Sequence, residues 1–287
     1  MKKIKGAAVI AAFFISVGSF ASDKSTEKTE TYKDLIDKAY NLSVQQDRPQ
    51  ALSILVAASK RESRRSSPPK ELLAAIEEVA NIFYSDKTQQ LHELALSLKQ
   101  NDPAGALAKL NEATRIEPDN FTVLLETQEL LMAVGDCSGA LKLGERMLEM
   151  NPYSDAARLH SAQAAVCIGK FDLYLTYSNS GGGDLKGPLS IYWQMANVER
   201  LFKKAEFDAA LEKTAIIEKQ NSGYPEPSYW RWRIENEQKT KSEKSGQKYL
   251  SACRKLTPRQ FRDLGTDPNL CRRVAEVENW LKKSHNP

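Results

Sequence analysis

Apolar residues recur at intervals of three and four along nearly the whole chain, and strict apolar–polar alternation is nearly absent. That spacing puts apolar side chains on one face of a 3.6-residue helix and predicts helices rather than strands. Short turns rich in Gly, Pro, Asp and Asn interrupt the pattern. The expected class is therefore all-α, and the next question is whether its helices repeat.

They do. Ala106-x3-Leu110-x2-Ala113 followed by Pro118 returns as Ala140-x3-Gly144-x2-Met147 followed by Pro152, an offset of 34 residues for both the Ala and the Pro. Ala51-x3-Leu55-x2-Ala58 precedes Ala106 by 55 residues, one period plus an insertion of 21, and Ala210-x3-Thr214-x2-Ile217 follows Ala140 by 70. A period of this length marks a stack of helix pairs, each unable to bury its apolar face alone. The pattern resembles the tetratricopeptide repeat family, with a small residue in the first helix, Ala-x3-aliphatic in the second and a Pro near the end. The resemblance implies an α-solenoid of antiparallel helix pairs over 32–224, with repeats at about 32–65, 87–120, 121–154, 155–188 and 191–224. Gln128 departs from the motif, standing where a small residue is usual. So does Val198 in the last repeat, which also lacks the terminal Pro.

Two stretches break the array. SRRSSPPK (63–70) is a basic, Pro-containing break, and Lys70 to about Tyr84 reads as an extra helix, so an insertion over 66–86 is expected to cap or offset the first repeat. SNSGGGDLKGP (178–188) is expected to be a loop that cuts a second helix short. Its three glycines fit neither G-x-G-x-x-G nor G-x-x-x-x-G-K-[ST], and no strand leads into it. Residues 225–287 read as a C-terminal helical repeat and cap. Helices are expected from Pro227 to Gln238 and from Ser245 to Leu256, with a short one after Thr257-Pro258. A last helix follows Asp267-Pro268, its apolar side Leu270, Val274, Val277 and Leu281.

The N-terminus adds a compartment. Lys2, Lys3 and Lys5 precede an apolar run from Gly6 to about Phe20, and Ser19-Phe20-Ala21 offers small residues to signal peptidase. The expectation is a signal peptide over 1–21, a flexible polar linker over 22–31 and a periplasmic protein without stable membrane insertion, secretion being the alternative. The formal charge of +4 includes the three signal lysines, so the remainder is near +1, a poor footprint for nucleic acid. From Glu226 onward, however, 14 Lys/Arg stand against 8 Asp/Glu, which fits a solvated surface or a face for an acidic partner.

Four cysteines in an exported chain favour disulfides, and three pairings are conceivable. Cys137 lies at the turn of one repeat and Cys167 near the same turn of the next, while Cys253 and Cys271 bracket the turn into the last helix. The predicted bonds are Cys137–Cys167 and Cys253–Cys271. Gly135-Asp136-Cys137-Ser138-Gly139 also fits G-x-C-x-G, the thiol form of a nucleophile elbow, but an elbow needs a strand before it, and the preceding segment is helical by pattern.

Other catalytic signatures are missing from the sequence. There is no H-E-x-x-H, and Glu77-Glu78 reads as helix surface. No enzyme, cofactor or metal is expected. Pro227-Ser228-Tyr229-Trp230-Arg231-Trp232-Arg233 interleaves aromatic and basic residues, but side chains two apart on a helix point about 200° apart, so no continuous stacking platform is expected; core packing with a guanidinium on the surface is the expectation, and a binding anchor the alternative.

The family resemblance makes the first helix of each pair line a concave groove. Counting from each repeat start gives the lining candidates Ile36, Tyr40, Leu91, Ala95, Leu98, Leu125, Glu129, Met132, Leu159, Gln163, Val166, Met195, Glu199 and Phe202. The Lys and Asn that clamp a ligand carboxylate in chaperone-binding members are not at these positions. A mostly apolar groove with scattered acids is expected to take an amphipathic helix or extended segment of an envelope protein. This makes the chain a non-enzymatic scaffold. A peptidoglycan-binding or -processing factor is the alternative, and a structural subunit that uses its end surfaces is a third reading.

Overall fold

The computed structural model describes residues 30–63, 67–182, 189–257 and 270–285. Among them are fourteen α-helices and no strand. The helices are α1 (Tyr32–Val44), α2 (Arg48–Ser63), α3 (Lys70–Asn81), α4 (Asp86–Leu98), α5 (Pro103–Ile116), α6 (Phe121–Ala133), α7 (Cys137–Met150), α8 (Asp155–Cys167), α9 (Phe171–Tyr177), α10 (Ser190–Lys203), α11 (Phe207–Gln220), α12 (Glu226–Glu237), α13 (Glu243–Lys255) and α14 (Val274–His285). The signal and most of the linker, the centre of the 63–70 break, the second half of the Gly-rich stretch and the short helix after Thr257 lie outside the described residues.

From α4 to α13 the chain is an α-solenoid of helix pairs. Each helix packs on the one before it in α4/α5, α6/α7, α8/α9, α10/α11 and α12/α13. The first helices of successive pairs also touch, α6 with α8, α8 with α10, and α10 with α12. The turns repeat because their chemistry repeats. Asp102, Asn120, Asp136 and Ser154 each cap a helix by accepting the backbone N–H three residues on. The motif alanines Ala106, Ala113, Ala140 and Ala210 are fully buried, which lets paired helices approach closely. α9 is a short second helix that gives way to a π-helical turn, Ser178–Gly182.

Gln128, the departure from the motif, is accommodated by a size exchange. It is fully buried, and its Nε2 donates to the Ala140 carbonyl at 3.1 Å and to Ser161 Oγ at 3.2 Å. The room comes from Gly144, which stands where the preceding repeat has Leu110. A Cβ at Gly144 would lie 2.0 Å from Ser161 Oγ and 2.2 Å from Gln128 Nε2.

The N-terminal helices pack differently from the successive pairs of the array. α1 and α2 do pair, but with α3 they form a three-helix unit whose contacts run chiefly to α6 and α7 rather than onto α4 and α5. Leu52, Leu55, Leu72, Ile76 and Val79 share one core with Phe121, Leu124 and Met147. The reason is a buried polar hub at the α5–α6 turn. Arg48, fully buried, donates to Glu117 Oε2 at 2.9 Å, to Asp119 Oδ1 at 2.6 Å, to the Val79 carbonyl at 3.2 Å and to the Ile82 carbonyl. Its guanidinium also stacks over Tyr84, 4.2 Å from the ring centre. Glu117 completes the hub by accepting the backbone N–H groups of Tyr84 and Ser85 at 3.0 and 2.9 Å.

The C-terminal cap closes the other end. Val277 and Leu270 are buried with Tyr229, Trp230, Trp232 and Tyr249, and Val274, Trp280 and Leu281 pack against them. Both tryptophans of the YWRW stretch are therefore core, as the core-packing reading of that stretch expects. α12 is covered on two sides: Trp230 meets Phe202 of α10 at 5.3 Å and Trp232 meets Trp280 of α14 at 5.8 Å. Cys137–Cys167 and Cys253–Cys271 are both bonded, with Cα separations of 6.1 and 5.7 Å, inside the range a disulfide needs.

Candidate binding face on the first helices

The GDCSG stretch resolves into a helix-pair turn. Gly135 takes φ +87°, in the left-handed region that glycine adopts without strain, and Gly169 does the same one repeat later at +79°. Asp136 caps α7, and Cys137 opens that helix as a disulfide half, so its sulfur is not a free thiolate. A nucleophile role at this position is ruled out by the bond.

The predicted groove residues separate into two groups. The apolar ones are mostly taken up by packing. Leu91, Ala95, Leu159, Val166 and Met195 are buried core residues. Leu91 and Ala95 share a cluster with α5 and α6, with Leu98 packed beside them. Leu159 and Val166 pack with Tyr174 and Trp193. Ile36, Tyr40 and Leu125 lie against the core of the N-terminal unit, Met132 against the α7–α8 cluster, and Met195 and Phe202 in the cap cluster. α6, α8 and α10 have helix neighbours on both sides, and those neighbours claim apolar positions on them. Ile36, Tyr40, Leu98, Leu125, Met132 and Phe202 remain partly exposed.

The polar positions form a more specific arrangement. Glu129 on α6 and Gln163 on α8 are one period apart, and Glu199 occupies the corresponding position on α10. Glu126 and His160 are likewise one period apart, with His92 of α4 one period before them. Lys99, just past the end of α4, reaches across to α6. Its Nζ lies 2.6 Å from Glu129 Oε2 and 2.8 Å from Glu126 Oε2, so two carboxylates share one ammonium. Burial works against the Lys99 charge, but Glu129 and Glu126 outweigh it and hold the ammonium above its ordinary pKa.

Glu129 is 4% exposed, and its Oε1 has no hydrogen-bond partner among the described residues. Burial raises its pKa to about 7, against the pull of Lys99 and with help from the Glu126 charge. His160, 8% exposed, has Nδ1 without a partner among the described residues, and burial lowers its pKa to about 4, so the ring is neutral. Gln163 Oε1 and His92 Nε2 are orphaned in the same way. Buried polar atoms are normally paired, so four at repeat-related positions of one face require an explanation.

The cap reaches toward this face. Arg272 is close enough to Glu129 to lower its carboxyl pKa, and Arg273 acts in the same sense on Glu199, whose pKa burial raises. Arg273 is held in place by Tyr229, whose hydroxyl accepts its Nη1 at 2.7 Å, with the guanidinium 4.6 Å from the ring centre. Sequence reasoning named Glu129, Gln163 and Glu199 but passed over Lys99, Glu126, His160 and Arg272. The 34-residue offset from Glu126 to His160 was the available signal.

Among the described residues no three His, Cys, Asp or Glu side chains gather as a metal-binding group, and no helix is long and apolar enough to cross a membrane.

No family model and no curated protein matches the chain. Among solved structures it is similar to a tetratricopeptide repeat protein from Parabacteroides merdae ATCC 43184, at 13% identity and a TM-score of 0.45, over 89% of this chain and 99% of that one.

Proposed function

We propose that the chain is a non-enzymatic scaffold of the periplasm that binds a peptide or helix of an envelope protein on the face built by its first helices. The observation that carries this reading is the array of stacked helix pairs, whose first helices follow one another along one face and bear the charged cluster of Lys99, Glu126 and Glu129. A peptide or helix laid along that face gains from contacts repeated along the array, with the charged side chains setting its orientation. The basic start, the apolar run and the Ser19-Phe20-Ala21 site support export. The two disulfides fit an oxidising compartment.

The peptidoglycan alternative rests on the aromatic and basic residues of the C-terminal part. Tyr229, Trp230 and Trp232 are buried there, so no observation now favours it.

In-cell crosslinking of the tagged protein, followed by mass spectrometry, tests the proposal. One envelope protein recovered in fixed proportion is the expected result. Recovery of cell-wall fragments alone, or of no reproducible partner, overturns it.

A further inference from the structure

Charge is unevenly placed along the chain. The residues after the signal carry +1 in all and residues 226–287 carry +6, which leaves −5 for residues 22–225. Within the basic part, α13 sorts its residues by side. Ser245, Gly246, Tyr249 and Leu250 are buried, and a Cβ at Gly246 would lie 3.0 Å from Trp232 of α12 and 3.2 Å from Val277 of α14. The opposite side bears Lys244, Lys248, Ser251 and Lys255, all exposed. Spacings of four, three and four put them on one stripe of the helix, about 16 Å long from Lys244 to Lys255. Lys241 stands exposed in the turn before the helix.

Acids reach this surface without cancelling it. Glu218 of α11 is shared by Lys248 at 3.2 Å and Arg231 at 3.5 Å, and Glu278 of α14 pairs with Arg254 at 2.7 Å. Glu243 accepts from Gln247. None of these pairs uses Lys241, Lys244 or Lys255. Six cations therefore stand against three acids, a net +3.

We infer that the outer side of α13 rests on an anionic phospholipid surface, with its lysines at the level of the headgroup phosphates. This goes beyond the peptide-binding reading and does not depend on it, since α13 is a second helix and the peptide face is built by first helices. The row lies on the ridge of a helix, and a ridge meets a plane along its length. An acidic peptide needs apolar anchors to be held, and the exposed residues of α13 are all polar. Lysines at a lipid surface need no anchor, because each gains from the surface potential while staying hydrated. The same potential repels the negative remainder of the chain, so the array is held with α13 toward the lipid.

The test uses the oxidised full chain and cosedimentation with two kinds of vesicle, phosphatidylcholine alone and phosphatidylcholine with about one-third phosphatidylglycerol. Binding is expected to the second only, and to fall as salt is raised. Lys244→Gln with Lys255→Gln should weaken it about 25-fold, roughly fivefold for each lysine. Lys87→Gln with Lys142→Gln removes the same charge from exposed positions of α4 and α7 and should change binding by less than about twofold. Helical circular dichroism should be the same for all four-lysine and two-lysine chains. No binding to the anionic vesicles, equal binding to both kinds, or equal loss in the two double variants overturns the inference. If the vesicles fail and an end-capped hexa-glutamate peptide is held through Lys244 and Lys255, the row serves an acidic protein and the lipid assignment falls.

Discussion

The two ends of the array are fastened by different physics. The N-terminal unit is held through a guanidinium with no exposure, surrounded by two carboxylates, two carbonyls and a tyrosine ring. The C-terminal cap is held by aromatic packing and a covalent bond. A buried ionic hub contributes little net stability over apolar packing of the same shape, yet removing one partner strands the rest. Packing and disulfides fail in degrees. The N-terminal attachment therefore acts all or none and fixes one docking position, whereas the C-terminal attachment is graded and depends on redox state.

The sharpest way to break the comparison is Arg48→Met. It leaves Glu117 buried and stripped of its cation, at a cost of about 3–5 kcal/mol. Urea unfolding should show the midpoint fall, with hydrogen exchange quickening first in α1–α3. A loss of about 1 kcal/mol or less would mean that the apolar core around Leu72 and Ile76 does the fastening and the hub is incidental.

The C-terminal counterpart is the double substitution Cys253→Ser, Cys271→Ser. The bond spans 18 residues, and a loop of that size is worth roughly 3 kcal/mol in the loop-entropy picture. Exchange in α14 should speed up while α1–α3 keep their protection. Equal loosening of both ends would show that the array transmits strain and that the two attachments are not independent.

Gly144→Ala probes the middle, which belongs to neither end. A helical Gly→Ala change normally stabilises by about 0.5–1 kcal/mol. Here the new methyl meets Ser161 and Gln128, and a net loss of about 1–3 kcal/mol is expected in a thermal or urea melt. Gln128→Ala in the same chain should restore part of it, because the two positions exchange volume.

What was legible in the sequence follows from range. The helix pairs, their caps and the 34-residue offset are local or periodic; Cys137–Cys167 follows from neighbouring turns of that period, and Cys253–Cys271 from two cysteines that bracket one turn. The docking of α1–α3 was not legible. It depends on Arg48 meeting Glu117, 69 residues away, and nothing periodic relates the two. The groove residues separate into covered and uncovered positions for a related reason. The period identifies which helix face a residue occupies, but whether a neighbour covers it is a tertiary matter. Leu159 and Met195 were covered, while Glu129 and Gln163 were left with unpaired atoms. Gln128 was visible as a misfit, but its remedy in Gly144 requires knowing that the two side chains meet.

The smallest expected effect concerns Glu129, where both ends meet: Lys99 comes from the side of α4 and Arg272 from the cap. Its folded pKa of about 7 lies above the ordinary value near 4.5. A raised carboxyl pKa means the folded chain holds its proton longer, so Glu129 costs stability above about pH 7 and stops costing it as pH falls toward 4.5. Glu117 has the opposite sign. Burial alone would raise its pKa, but Arg48, Asn120 and the Ser85 N–H lower it, so its stabilisation is present above about pH 4.5 and is lost in more acid solution. The upper window also contains His160, whose lowered pKa makes the fold lose stability between about pH 6.5 and 4, and His92, lowered in the same direction. The wild-type curve alone therefore mixes signs. The difference in Tm between Glu129→Gln and wild type removes the histidines, since both chains carry them. That difference should be largest above pH 7, with the amide relieved of a buried charge, and should shrink steadily to a small residue by about pH 4.5. A difference that does not change with pH would mean that Lys99 already satisfies the carboxylate in full, and that the N-terminal side of the array, not the cap, governs this face.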